Sequence, residues 1–147
     1  MPRTPIYTRD YRYFAEISTR WMDNDVYGHI NNVTYYSYFD SVANQYLIRE
    51  GGLDIVHSDV IGLVVESGCS YHAPLSYPDP ISAGLRVDKL GRSSVTYGIC
   101  IFRRGQEVAA AHGHFVHVFV DRAERRPTPI PAPMRQALAR IAVETPV

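Results

Sequence analysis

Tyr11, Tyr13, Ala15, Ile17, Thr19 and Trp21 alternate with Arg12, Phe14, Glu16, Ser18 and Arg20, and this period of two predicts a first strand over 11–21. The alternation stops at MDNDVYGH, a polar loop containing glycine. From about residue 31 to 50 the period changes. Tyr35, Tyr38, Phe39, Val42, Ala43, Tyr46 and Leu47 recur at steps of three and four and form one apolar stripe of a helix. Asn31 or Asn32 can cap its start and Gly51-Gly52 can end it.

Four further strand-like runs follow. The first, over 59–72, is rich in Val and Ile, and Pro74 closes it. The second, over 81–90, alternates Ile81, Ala83, Leu85 and Val87 with polar or small residues. Gly91-Arg92-Ser93 turns the chain into a third run, in which Val95, Tyr97, Ile99 and Ile101 share a face. Arg103-Arg104-Gly105-Gln106 then leads to a fourth run over 108–120. Short turns between successive strands imply an α+β fold with a mostly antiparallel five-stranded sheet covered by one long helix. The last strand is apolar on both faces: Val116, Val118 and Val120 alternate with Phe115 and Phe119. One helix covers one face, so the second predicts another copy of the chain, a homodimer or homotetramer. Beyond residue 121 the chain is rich in Arg and Pro. A short amphipathic helix is expected over about 132–143, with Leu138, Ile141 and Ala142 inward.

Composition narrows the function. The length of 147 residues predicts one domain over 1–147. Fifteen basic residues balance 15 acidic ones, so no overall field draws nucleic acid or an anionic membrane. The two cysteines, Cys69 and Cys100, lie in apolar runs and make no disulfide framework, and no segment approaches the ~18 apolar residues of a membrane span. A cytoplasmic location is the resulting expectation. Eleven of the aromatic residues are tyrosine, eight of them within the first 46 positions.

The loop before the long helix carries the chemistry. Asp23 and Asp25 precede the helix N-terminus, where free backbone N–H groups and the positive end of the helix dipole can stabilise an oxyanion. A carboxylate there can act as a nucleophile or as a base toward water, and Gly28 allows close backbone approach. Acidic residues at this position also serve as caps or dipole partners. Asn31 and Asn32, nearer the helix, already supply capping groups.

The segment WMDNDVYGHINNVTYYSYFD resembles the signature of hotdog-fold thioesterases of the 4-hydroxybenzoyl-CoA thioesterase type, D-x-D-x-x-G-H-x-N-N-x-x-Y-x-x-Y-F. The matching positions are Asp23, Asp25, Gly28, His29, Asn31, Asn32, Tyr35, Tyr38 and Phe39. Tyr71, Pro74, Asp79 and the run LGRSSV are also similar to that family, and the resemblance extends over about residues 11–131. It implies a hotdog fold and hydrolysis of an acyl-CoA thioester without a cofactor. It further implies that Asp25 is the catalytic carboxylate, that the backbone N–H near Asn32 polarises the carbonyl, and that Gly28 and His29 shape the turn. Some relatives place an acid on the helix instead, and Asp40 is the candidate there. Arg92 and Ser93 match the family's LGRSS segment, and with Arg126 they are candidates for binding CoA phosphates. A non-catalytic acyl-CoA or acyl-carrier binding protein is the alternative. An enoyl-CoA hydratase fits less well, because its Asp and His lie five apart whereas Asp25 and His29 lie four apart. His112 and His114 share a strand face, but two histidines make a weak metal signal and no metal is expected.

Overall fold

The computed structural model describes residues 4–143; the outermost positions of the expected 1–147 domain, 1–3 and 144–147, lie outside them. Five strands form one antiparallel sheet: β1 (Tyr13–Ile17), β2 (Val60–Tyr71), β3 (Ile81–Leu90), β4 (Ser94–Arg103) and β5 (Ala111–Asp121), in the order β1-β3-β4-β5-β2. The helices are α1 (Asn32–Gly51) and α2 (Ala132–Arg140). This is the α+β arrangement that the hydrophobic pattern predicts.

Every residue of the expected apolar stripe of α1 is buried, from Tyr35 to Leu47. They meet the inward residues of the three central strands: Ala83, Leu85 and Val87 of β3, Tyr97 and Ile99 of β4, and Phe115 and Phe119 of β5. Asn31 caps the helix, its Oδ1 accepting from the Val33 N–H at 3.1 Å. Gly52, at φ 74°, ends it in the left-handed conformation that glycine adopts without a Cβ penalty.

Three expectations need correction. First, β1 is shorter than its alternation. Its register with β3 begins at Ile17↔Ile81, so beyond Ile17 the chain has no partner strand and turns into a short 3-10 helix, Trp21–Asp23. Second, β5 starts at Ala111 rather than 108, because Val108 bridges to Tyr7 and Ala109 N–H donates to the Ile6 carbonyl. Third, part of the outer sheet face is covered by the chain itself: Tyr11, Cys100, Phe102 and Ala109 form a small second cluster with Ile6 packed on it. Burial there pushes the Cys100 thiol up to about 12, so it behaves as a small apolar side chain.

Strand β2 is a sheet edge. It pairs with β5 on one side only, has a bulge between Val64 and Glu66, and exposes Leu63, Val64 and Val65.

Candidate active site

Residues 24–30 form a narrow hairpin that feeds α1. Asn24 and Ile30 bridge antiparallel, Asp25 N–H donates to the His29 carbonyl at 2.8 Å, and Gly28 N–H donates to the Asp25 carbonyl at 3.1 Å. Gly28 sits at φ 84°, a turn that a side chain would strain. The Asp25 carboxylate accepts from the Tyr27 N–H at 2.8 Å and from the His29 N–H at 3.4 Å, both through Oδ1. Among the described residues nothing bonds to Oδ2, so half of the carboxylate is open.

The helix start is equally specific. Asn31 N–H donates to the Asp23 carbonyl, Val33 N–H to Asn31 Oδ1, and Thr34 N–H to the Asn31 carbonyl. Of these four successive N–H groups, only that of Asn32 lacks an acceptor among the described residues, and Asn32 is exposed. The Asn32 carbonyl, at the other end of the residue, accepts from Tyr71 Oη at 3.1 Å. Burial is the main cause that raises the Tyr71 phenol, which keeps it a donor.

Two residues that hold the hairpin escape the sequence reading. Ser76 Oγ donates to the Gly28 carbonyl at 2.6 Å, and Asn24 Oδ1 accepts from Tyr77 N–H at 3.0 Å. With Ile30 N–H on the Leu75 carbonyl, these bonds dock the hairpin on the 75–77 segment. The contacts span about fifty positions, so only the D-N-D spacing near Asn24 hinted at them.

None of the remaining candidates shares a hydrogen bond or ion pair with Asp25 among the described residues. Asp40 is exposed on α1, where Asn44 Nδ2 donates to its Oδ1 at 2.9 Å. Arg92 and Ser93 occupy the β3–β4 turn, with the Arg92 carbonyl accepting from Ile130 N–H and the Ser93 carbonyl from Phe119 N–H. Arg126 follows β5, its carbonyl accepting from Asp121 N–H. The register puts all three at the Leu90/Val95 end of the sheet, whereas the hairpin docks beside the Tyr71 and Ile81 end. The ten residues of β3 span the distance between the two ends, about 30 Å. Within one chain they do not share a site.

On the outer face His112 Nδ1 lies 2.7 Å from His72 Nε2 with the rings stacked, and His114 lies 3.6 Å from Glu66. Among the described residues no three His, Cys, Asp or Glu side chains gather to hold a metal ion, and no helix is long and apolar enough to cross a membrane.

A family model, the thioesterase-like superfamily, matches residues 19–138. The chain belongs to that superfamily. This thioesterase-like chain is 52% identical to the PA5185 protein of Pseudomonas aeruginosa strain PAO1, over 97% of its own length and 100% of that structure, with a TM-score of 0.95. It is 26% identical to a thioesterase from Thermus thermophilus solved with coenzyme A and Zn, covering 87% and 98% of the two chains at a TM-score of 0.73. A 1,4-dihydroxy-2-naphthoyl-CoA thioesterase from Synechocystis, 18% identical over 86% of this chain and 95% of that one, shares the fold at a TM-score of 0.77. The architecture is the hotdog fold that the loop motif implied.

Proposed function

We propose that the protein hydrolyses an acyl-CoA thioester to a free carboxylic acid and CoA. The thioester carbonyl rests against the start of α1, where the Asn32 N–H stabilises the developing oxyanion. Asp25 either attacks the carbonyl carbon through its open oxygen or takes a proton from the water that does. In both routes one water is consumed, the C–S bond breaks, and the thiolate leaves with little need of an acid. Gly28 and His29 shape the turn, and His29 contributes the carbonyl and N–H that hold Asp25. The observation that carries this reading is that, among the described residues, one loop carries a half-open carboxylate seven positions before an unengaged N–H at the start of α1. The thioesterase solved with coenzyme A supports a CoA thioester as substrate.

The reading includes a homodimer. Among the described residues no strand pairs with the outer side of β2, and antiparallel pairing with a second copy would cover its exposed apolar residues Leu63, Val64 and Val65. Such pairing brings the Val60 end of one copy to the Tyr71 end of the other. Arg92, Ser93 and Arg126 then approach the Asp25 of the opposite subunit, where they bind CoA phosphates.

A thiol-release assay over acyl-CoAs of graded chain length and aromatic acyl groups tests the function. Turnover on at least one substrate is expected, with Asp25→Asn lowering it by more than the ~10²–10³-fold typical of one lost oxyanion donor. Silence over the whole panel together with measurable CoA binding would make the chain a binding protein, and wild-type turnover by Asp25→Asn would remove Asp25 from the chemistry.

A further inference from the structure

We propose that Asp23, the first carboxylate of the loop, is a positioning residue that locks the Asp25 hairpin to α1; the inference rests on the thioesterase reading above. Asp23 is 2% exposed, and both of its oxygens are occupied. Oδ2 accepts from the Arg20 N–H at 2.9 Å and from Tyr38 Oη at 2.8 Å. Oδ1 faces the Arg20 guanidinium, with Nε and Nη2 each at 3.3 Å. Three hydrogen bonds and the ion-pair contact from Nη2 engage both oxygens, in contrast to the open Oδ2 of Asp25. Asp23 and Asp25 therefore share a motif and divide its work.

The geometry explains what Asp23 does. Its backbone carbonyl accepts from the N–H of Asn31, the cap of α1, at 2.8 Å, while its side chain holds Tyr38 further along the same helix. Seven residues of helix separate these attachments, about 10 Å. One attachment would be a hinge, and two spaced along an axis fix both the position and the tilt of the hairpin. Asp25 follows two residues later, and the unengaged Asn32 N–H follows Asn31 directly. The joint thus sets the distance between the carboxylate and the oxyanion donor. Burial, aided by the neighbouring carboxylate, raises the Tyr38 phenol, so it stays protonated as a donor to Asp23 at neutral pH. Tyr38 is also buried against Tyr35, which ties the joint into the core.

The experiment compares Asp23→Ala, Asp23→Asn, Tyr38→Phe and Asp25→Asn for kcat and KM on the fastest acyl-CoA of the panel, corrected for the folded fraction by circular dichroism. An asparagine keeps one oxygen where Arg20 N–H and Tyr38 Oη converge, and the exposed Arg20 guanidinium can swing into water. Asp23→Asn should therefore stay within about 5-fold of wild type. Asp23→Ala should lower kcat by roughly 30–100-fold with KM little changed, because a displacement near 1 Å costs on the order of 10²-fold. Tyr38→Phe keeps the ring, folds, and should lower kcat by about 10-fold. A purely structural role would lower the folded fraction and leave kcat per folded molecule intact. The proposal is overturned if Asp23→Asn is as inactive as Asp25→Asn, since Asp23 would then react itself. It is also overturned if folded Tyr38→Phe turns over at the wild-type rate. Wild-type turnover by Asp25→Asn would instead sink the thioesterase reading, whatever the Asp23 variants do.

Discussion

The burial of His117 in the core predicts that the protein loses stability in acid. It lies on the helix-facing side of β5, 1% exposed, between the rings of Phe115, Phe119 and Tyr97, with Tyr97 Oη 3.2 Å from its Nδ1. No carboxylate among the described residues compensates a charge there, and burial alone lowers its pKa from 6.5 to about 4. The unfolded chain therefore binds a proton between these two values that the folded chain refuses, and stability falls as pH falls through this window. The gap from 6.5 to about 4 is worth roughly 3 kcal/mol at ~1.36 kcal/mol per pH unit, with about 2 kcal/mol already lost at pH 5. A His117→Leu variant removes the titration. It also strands the Tyr97 hydroxyl, at a cost of about 1–3 kcal/mol that does not vary over this range. Urea unfolding of both proteins at pH 7, 6, 5 and 4, followed by far-ultraviolet circular dichroism because Trp21 is 76% exposed and a poor reporter, measures the difference. The advantage of wild type over the variant should shrink by about 3 kcal/mol from pH 7 to pH 4. A difference that stays constant, or widens in acid, would refute the assignment of this sensitivity to His117.

Two further outcomes test separate parts of the structure. Asn31→Ala removes the Oδ1 that caps Val33 N–H and should cost about 1 kcal/mol, seen as a melting temperature lower by roughly 2–4 °C; an unchanged melting temperature would mean that the neighbouring bonds suffice. Val64→Lys places a charge on the exposed edge of β2, where it should leave the fold within about 0.5 kcal/mol of wild type while shifting the protein toward monomer in sedimentation velocity and lowering turnover. A variant that remains dimeric would move the interface elsewhere.

The buried stripe of α1 was legible in full, because a helix with one face on a sheet must repeat its apolar residues at the helical period. The limits of β3 were legible for a similar reason: it lies inside the sheet, and turn residues bracket it. The overrun of β1 has a different origin. Alternation continues past Ile17 in the sequence, but it reports which side of a segment faces inward and carries nothing about whether a partner strand is still alongside. The site divides in the same way. Asp25, Gly28 and the Asn31-Asn32 cap are close in sequence and form a motif, whereas the clamps Ser76 and Tyr71 come from more than 35 residues away. The resemblance of the LGRSS run and the charge of Arg126 group Arg92, Ser93 and Arg126 with Asp25, and only the strand register separates them to opposite ends of the sheet.

The strand order has a consequence for how the molecule is assembled. The two strands that come first in the chain, β1 and β2, flank the sheet on opposite sides, and each pairs with a strand made later: β1 with β3, β2 with β5. The β3-β4-β5 meander has only local turns to close and can pair early, while both flanks wait on long loop closures. During synthesis the 24–30 hairpin is made before the 75–77 segment on which it docks and before β5 can capture β2. The hairpin thus waits on partners made after it, and its docking is a late event that depends on the sheet being complete.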